Sequence, residues 1–180
     1  MTQQRRSAPT LETERLLIRG YRKDDLAGQF ALVGDDATMR FVGGKGLGLE
    51  ETWRRMAATV GMWPLVGFGG WAVIRKSDNK IIGTVSLFNA WRDLEPQFGD
   101  EPEMGWIFSP EVHGQGMASE ACAAVLEWAD AHIQPTPIWA IIAPENAPSR
   151  KLAAKLGFDE QSLSFYHDEP TLVLKRPARG

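Results

Sequence analysis

Cysteine occurs once in the 180 residues, at Cys122, and histidine three times, at His113, His132 and His167. One thiol excludes an intrachain disulfide and a cysteine-rich metal site, and three dispersed histidines make no ligating cluster, so no metal is expected. No apolar run approaches the 18 or so residues of a membrane span, and the polar start Thr2-Gln3-Gln4-Arg5-Arg6 leads into no signal-type segment. A cytoplasmic location without a membrane partner is the expectation. Extended basic clusters are also missing, and the formal net charge is −3, which argues against a nucleic-acid partner.

What is present is ordinary for a globular chain: 43% hydrophobic and 24% charged residues. A chain of this length can bury roughly 70% of its unfolded surface in one core. A single domain over residues 1–180 is therefore expected, with residues 1–11 and 176–180 as loose tails.

Leu16-Leu17-Ile18 reads as a first strand, and Leu26, Phe30 and Val33 repeat at helical spacing after acidic Asp24 and Asp25. Gly43-Gly44-Lys45-Gly46-Leu47-Gly48 lacks the Gly-Lys-Ser/Thr ending of a P-loop and reads as a connector, with a lid or acceptor-site loop as the alternative. A second helix from about Glu50 carries Trp53, Met56, Ala57 and Val60 on one face, and Pro64 marks its expected limit. Gly70 to Arg75 and Ile81 to Asn89 read as strands joined by Lys76-Ser77-Asp78-Asn79-Lys80, which has hairpin turn chemistry. The loop from Ala90 to Pro102 contains Asp93, Glu95, Asp100 and Glu101, either a solvated connection or an acidic mouth that attracts a cationic amine.

The most informative stretch runs from Glu103 to Glu120. An apolar strand, Glu-Met-Gly-Trp-Ile-Phe, passes through Ser109-Pro110 and a loop containing Gly114 and Gly116 into an amphipathic pattern. Ala118, Ala121, Cys122, Val125, Trp128, Ala129 and His132 form its apolar stripe, and Cys122 is expected to pack there as a small hydrophobe. Strand, glycine turn and helix make an anion site: glycines open the backbone N–H groups to a ligand, and the helix start adds unsatisfied N–H groups and the positive end of its dipole. Ile138 to Ala143 is then a short strand between prolines. Asn146 is a candidate N-cap, Pro148 suits a first helical turn and Gly157 a helix stop, before two last strands around Ser162 to Tyr166 and Thr171 to Leu174.

His113-Gly114-Gln115-Gly116-Met117-Ala118 resembles the pyrophosphate-binding motif of the GNAT superfamily of N-acetyltransferases, Gln/Arg-x-x-Gly-x-Gly/Ala, with His113 where Gln or Arg is usual. Two further blocks resemble the same family in order: Glu103 to Phe108 its Glu-x-Gly-aromatic fourth strand, and Asn146 to Phe158 its Asn-x-x-Ser…Lys-Leu-Gly-Phe helix. The start Leu-x-Thr-x-Arg-Leu-x-Ile-Arg, Leu11 to Arg19, resembles the branch of ribosomal-protein N-terminal acetyltransferases.

The resemblance implies a mixed α/β (α+β) fold of about seven strands and four helices, with the fourth and fifth strands splayed. It implies acetyl-CoA as co-substrate, held by Ile107, Phe108 and Ser109 along pantetheine, by His113, Gly114, Gln115, Gly116, Met117, Ala118 and Ser119 around the pyrophosphate, and by Asn146 and Ser149 near the thioester. The implied activity is acetyl transfer to a primary amine, on a protein N-terminus or a small molecule, by direct attack on the thioester. Glu103 is the implied base. Many relatives carry an acidic tyrosine where this chain has Ala153, so Ser149 is the first candidate to protonate the thiolate and Tyr166 the second.

Two other readings stand beside this one. A Rossmann dinucleotide site would use Gly114-x-Gly116, but Ser119 replaces its third glycine and the turn after Phe108 is too long. A non-catalytic acyl-CoA sensor or interaction module fits the departures at His113 and Ala153. Monomer and homodimer are equally compatible with the sequence.

Overall fold

The computed structural model describes residues 7–179. Its centre is one mixed sheet of eight strands in the order β1-β2-β3-β4-β5-β6-β8-β7. The strands are β1 (Leu11–Glu12), β2 (Leu16–Arg19), β3 (Gly70–Arg75), β4 (Lys80–Phe88), β5 (Glu103–Phe108), β6 (Ile138–Ile142), β7 (Asp159–Tyr166) and β8 (Glu169–Arg176). The helices are α1 (Leu26–Val33), α2 (Asp36–Met39), α3 (Leu49–Val66), α4 (Met117–His132) and α5 (Ala147–Lys155). The expected mixed fold is present. The additions are the two-residue β1 and the one-turn α2, both too short to leave a periodic signature.

All neighbouring strands are antiparallel except β5 and β6. β4 and β5 pair over six residues from Gly83↔Phe108 to Phe88↔Glu103, whereas β5 and β6 meet only at Glu103↔Trp139. Beyond that point the two parallel strands diverge. They are the expected splayed pair, displaced one place in the count by β1.

Alternation along β5 assigns its side chains to two faces. Met104 and Phe108 enter a core with Trp71, Val85 and the α4 residues Ala121, Cys122, Val125 and Trp128. Trp63 from α3 meets Trp71 edge-on with centroids 4.8 Å apart, and both pack against Trp128. Ile107, on the opposite face, packs with Leu32, Val33 and Met39 of α1 and α2. Gly83 allows the close strand approach, since a Cβ there would lie 2.3 Å from Phe108 Cδ1.

Three sequence expectations need correction. The tails were drawn too long: Leu11 pairs with Ile18, and the Pro9 carbonyl accepts from the buried Trp71 indole at 2.9 Å. At the other end Arg176 is a buried strand residue, with two guanidinium bonds to Asp130 at 2.8 and 2.6 Å. Residues 1–6 and 180 of the expected tails lie outside the described residues. Second, α3 continues through Pro64 and stops at Gly67, whose φ of +85° forms a left-handed cap. Pro64 is exposed in this last stretch of the helix. Third, the apolar stripe of α3 is divided: Met56 and Trp63 are buried while Trp53 and Val60 are exposed.

Candidate active site

The divergence of β5 and β6 opens a cleft of about 770 Å³ lined from both faces of the sheet. Gly105, Trp106 and Ile107 of β5 form one side of the gap, and Ile141, Ile142 and Ala143 the other. A parallel pair cut off after one register position leaves main-chain groups of both strands facing an opening, so the backbone itself can bind what enters.

At the C-terminal end of β5 the chain makes a short 3₁₀ turn, Pro110–Val112, and reaches Gly114 at φ +74° and Gly116 at φ +75°. Gly116 caps the sixteen-residue α4, whose first N–H groups, at Met117, Ala118 and Ser119, have no carbonyl one turn back within the helix. His113 to Gly116 are exposed, and a Cβ at Gly114 would meet nothing within 4 Å. The arrangement suits a phosphate.

Arg15 fixes this loop from outside. Its Nη1 donates to the Gln115 carbonyl at 2.8 Å, and its Nε donates to Glu120 at 2.7 Å. Glu120 also accepts from the Thr13 hydroxyl at 2.6 Å, which ties the start of β2 to the first turn of α4. Burial acts to raise the Glu120 carboxyl, but the Thr13 and Arg15 contacts together outweigh it and leave the group below its usual range.

On the face of the sheet shared with α1 and α2, Glu103 is 3% exposed and binds Arg92 through both oxygens, at 2.7 and 2.9 Å. Arg92 also lies over the Tyr166 ring at 4.7 Å, and over the Phe88 ring at 5.9 Å. Burial pushes the Glu103 carboxyl up from its ordinary value while Arg92 pulls it back, and burial prevails. Nearby, the Tyr21 hydroxyl donates to Thr84 Oγ1 at 2.7 Å, and burial raises that phenol above its usual range.

On the α4 and α5 face, Asn146 Oδ1 accepts the Ser149 N–H at 3.2 Å as the cap of α5. The Trp106 indole donates to Ser149 Oγ at 3.3 Å. An indole N–H only donates, so the serine proton is left to point elsewhere. Ala153, one turn further, is fully buried and offers no hydroxyl.

The cleft thus brings together Glu103, Ile107, Asn146, Ser149 and Tyr166 among the residues singled out in the sequence. Ser109 and residues 113–119 do not line it; they form the loop beyond the end of β5. The Phe108 side chain belongs to the core, which leaves its main chain to face a ligand. His113 is exposed on the loop and away from Glu103. Cys122 is fully buried, and burial lifts its thiol far above the usual range.

Sequence reasoning missed Arg92. It lies in the irregular loop after β4, and no local pattern distinguishes it from the acids around it. Leu94 is buried beside Trp139, and Phe98 stacks on that indole at 4.6 Å, so the loop returns across β6 and delivers Arg92 to Glu103. Asp93, Glu95, Asp100 and Glu101 do not line the cleft, so the acidic mouth does not form there. Trp106 was legible only as a strand aromatic, and its bond to Ser149 depends on α5 folding back over β5.

A mixed sheet with one splayed parallel junction, followed by a glycine loop at a helix start, defines the acyl-CoA N-acyltransferase class. The chain belongs to the GNAT acetyltransferase family, whose domain model matches residues 15–159. It is 28% identical over 148 residues to the uncharacterized N-acetyltransferase YnaD of Bacillus subtilis (strain 168), covering 82% of this chain and 81% of that one. A solved structure assigned to GnaT-family acetyltransferases, from Bordetella pertussis, superposes with a TM-score of 0.83 at 27% identity, covering 93% and 99% of the two chains. The ribosomal-protein-S5-alanine acetyltransferase of Vibrio fischeri shares the fold, with a TM-score of 0.77 at 20% identity and coverage of 94% and 97%.

Proposed function

We propose that the protein moves an acetyl group from acetyl-CoA to a primary amine by direct attack of the amine on the thioester. The observation that carries this reading is the position of the two candidate proton-transfer groups on opposite faces of one gap: Glu103 on the α1 and α2 face, Ser149 on the α5 face. An amine entering from the first face meets a thioester entering from the second, with no covalent enzyme intermediate required.

In this reading the main-chain N–H groups from Gly114 to Ser119 hold the diphosphate. The main chain of Ile107, Phe108 and Ser109, together with Asn146, lies along pantetheine. The nitrogen lone pair forms a bond to the thioester carbon, the electron pair moves to the carbonyl oxygen, and its return breaks the carbon–sulfur bond. Glu103 accepts the amine proton through water, and Ser149 gives its proton to the thiolate, with Tyr166 as the second candidate. Arg92 keeps the Glu103 side chain in one orientation.

Calorimetry with acetyl-CoA, followed by thiol release against a panel of primary amines, tests the proposal. Binding with turnover on at least one amine is expected. Binding without turnover on any of them would favour the acyl-CoA sensor instead, and no binding would remove both.

A further inference from the structure

We propose that the acceptor amine carries a carboxylate, which Arg40 and Arg55 recognise at the mouth of the cleft while the amino group faces Glu103. The inference rests on the acetyl-transfer reading and adds a substrate class to it.

One part of the cleft lining comes from the α2 to α3 connection, residues 40–44, and from Arg55 of α3. Arg40 ends α2, lines the cleft, and has its guanidinium over the Phe41 ring at 5.1 Å. It makes no ion pair with any described residue. Arg55 lines the same cleft and donates to Glu51 through Nε alone, at 2.9 Å, which leaves its two terminal nitrogens available. Gly43 and Gly44 lie between them in the chain, with φ of +85° and +75° and open space where a Cβ would be. A ligand approaching this wall therefore meets two guanidinium groups and bare backbone, with Val42 and Phe88 as the apolar surface nearby.

The carboxylates of the cleft are distributed differently. Glu103 accepts from Arg92 on both oxygens. Glu169 belongs to β8 and Glu145 precedes α5. A polycation thus finds no free carboxylate on the α2 and α3 wall, whereas a carboxylate finds the planar donor forks that bind it best. The α-amine of a peptide N-terminus titrates about 2.5 units below a lysine amine, so at neutral pH it presents roughly 300 times more neutral nucleophile. The two guanidinium groups select an amine with an anionic neighbour, found in a free amino acid or in a chain whose N-terminal region is acidic, and the α-amine of such a chain is the less basic of the two.

The test uses the full protein loaded with CoA, and calorimetry with four probes: phenylalanine, Phe-Asp-amide, Phe-Asn-amide and spermidine. At least one carboxylate-bearing probe should bind on the order of ten times more tightly than Phe-Asn-amide. Phenylalanine alone doing so identifies free amino acids as the class, and Phe-Asp-amide doing so identifies acidic N-termini. Arg40→Gln, an exposed position, should erase the preference and leave CoA affinity unchanged. Equal binding of the charged and neutral probes, tighter binding of spermidine, or a preference that survives in Arg40→Gln/Arg55→Gln overturns the proposal. Thiol release from acetyl-CoA with the same probes is read separately: selective binding without release removes the transferase reading and leaves the recognition of the carboxylate standing.

Discussion

A carboxylate taken out of water survives only with a partner, and Glu103 has one cation holding both its oxygens. Glu103→Gln removes the charge but leaves the Arg92 guanidinium in place. We expect thiol release to fall by roughly 10²- to 10⁴-fold if the carboxylate is the base, with CoA affinity retained in calorimetry. The complementary change, Arg92→Met, leaves the buried carboxylate without its cation and drives its already raised pKa higher. The sign follows from proton binding: the folded state then holds the Glu103 proton more tightly than the unfolded chain. Its stabilising contribution is present at low pH and lost as pH climbs through the folded pKa. The melting temperature of Arg92→Met, relative to the unaltered protein, should fall as the pH rises above the ordinary carboxylate range, and a constant difference would mean that Glu103 does not feel Arg92. Ser149→Ala should slow turnover while CoA affinity stays, since Asn146 caps α5 through the main chain of residue 149. At this scale the sequence singled out the carboxylate and the serine as candidates but neither of their partners, because Arg92 and Trp106 reach them only through contacts made by other elements.

At the scale of elements, the loop before α4 and the β4–β5 pair respond differently to an added side chain. Gly114 has a positive φ and open space around it, so Gly114→Asp pays the modest strain of that backbone, about 1–2 kcal/mol, and sets a carboxylate where a diphosphate is proposed to sit. CoA affinity should fall at least tenfold with the fold intact; unchanged affinity would remove the pyrophosphate assignment. Gly83 has no such space. Gly83→Ala forces a methyl group against Phe108 and should destabilise by about 1–3 kcal/mol, read as a lower denaturant midpoint. Periodicity made α4 readable, because one face of it is buried. It misjudged α3, whose Trp53 and Val60 keep helical spacing yet stay exposed. It also could not see β1, whose two residues are held by pairing to β2 and by the bond from Trp71 to Pro9.

For the whole molecule, the proposed ligand should stabilise the folded state by mass action. Acetyl-CoA at about 100 times its dissociation constant contributes roughly 2.7 kcal/mol, which for a chain of this size raises the melting temperature by about 5–10 °C. No shift at that concentration would contradict the ligand assignment. The order of elements, the glycine loop ahead of α4 and the family itself were determined by the sequence, since each depends on residues close together in the chain: turn glycines, a cap, an alternating or helical stripe. Which groups meet across the gap was decided by the tertiary structure alone. The separation of β5 from β6 after one paired position, the return of the loop that carries Arg92, and the facing of Arg40 toward the cleft all depend on long-range packing. No local pattern encodes which distant side chain will neutralise a buried charge.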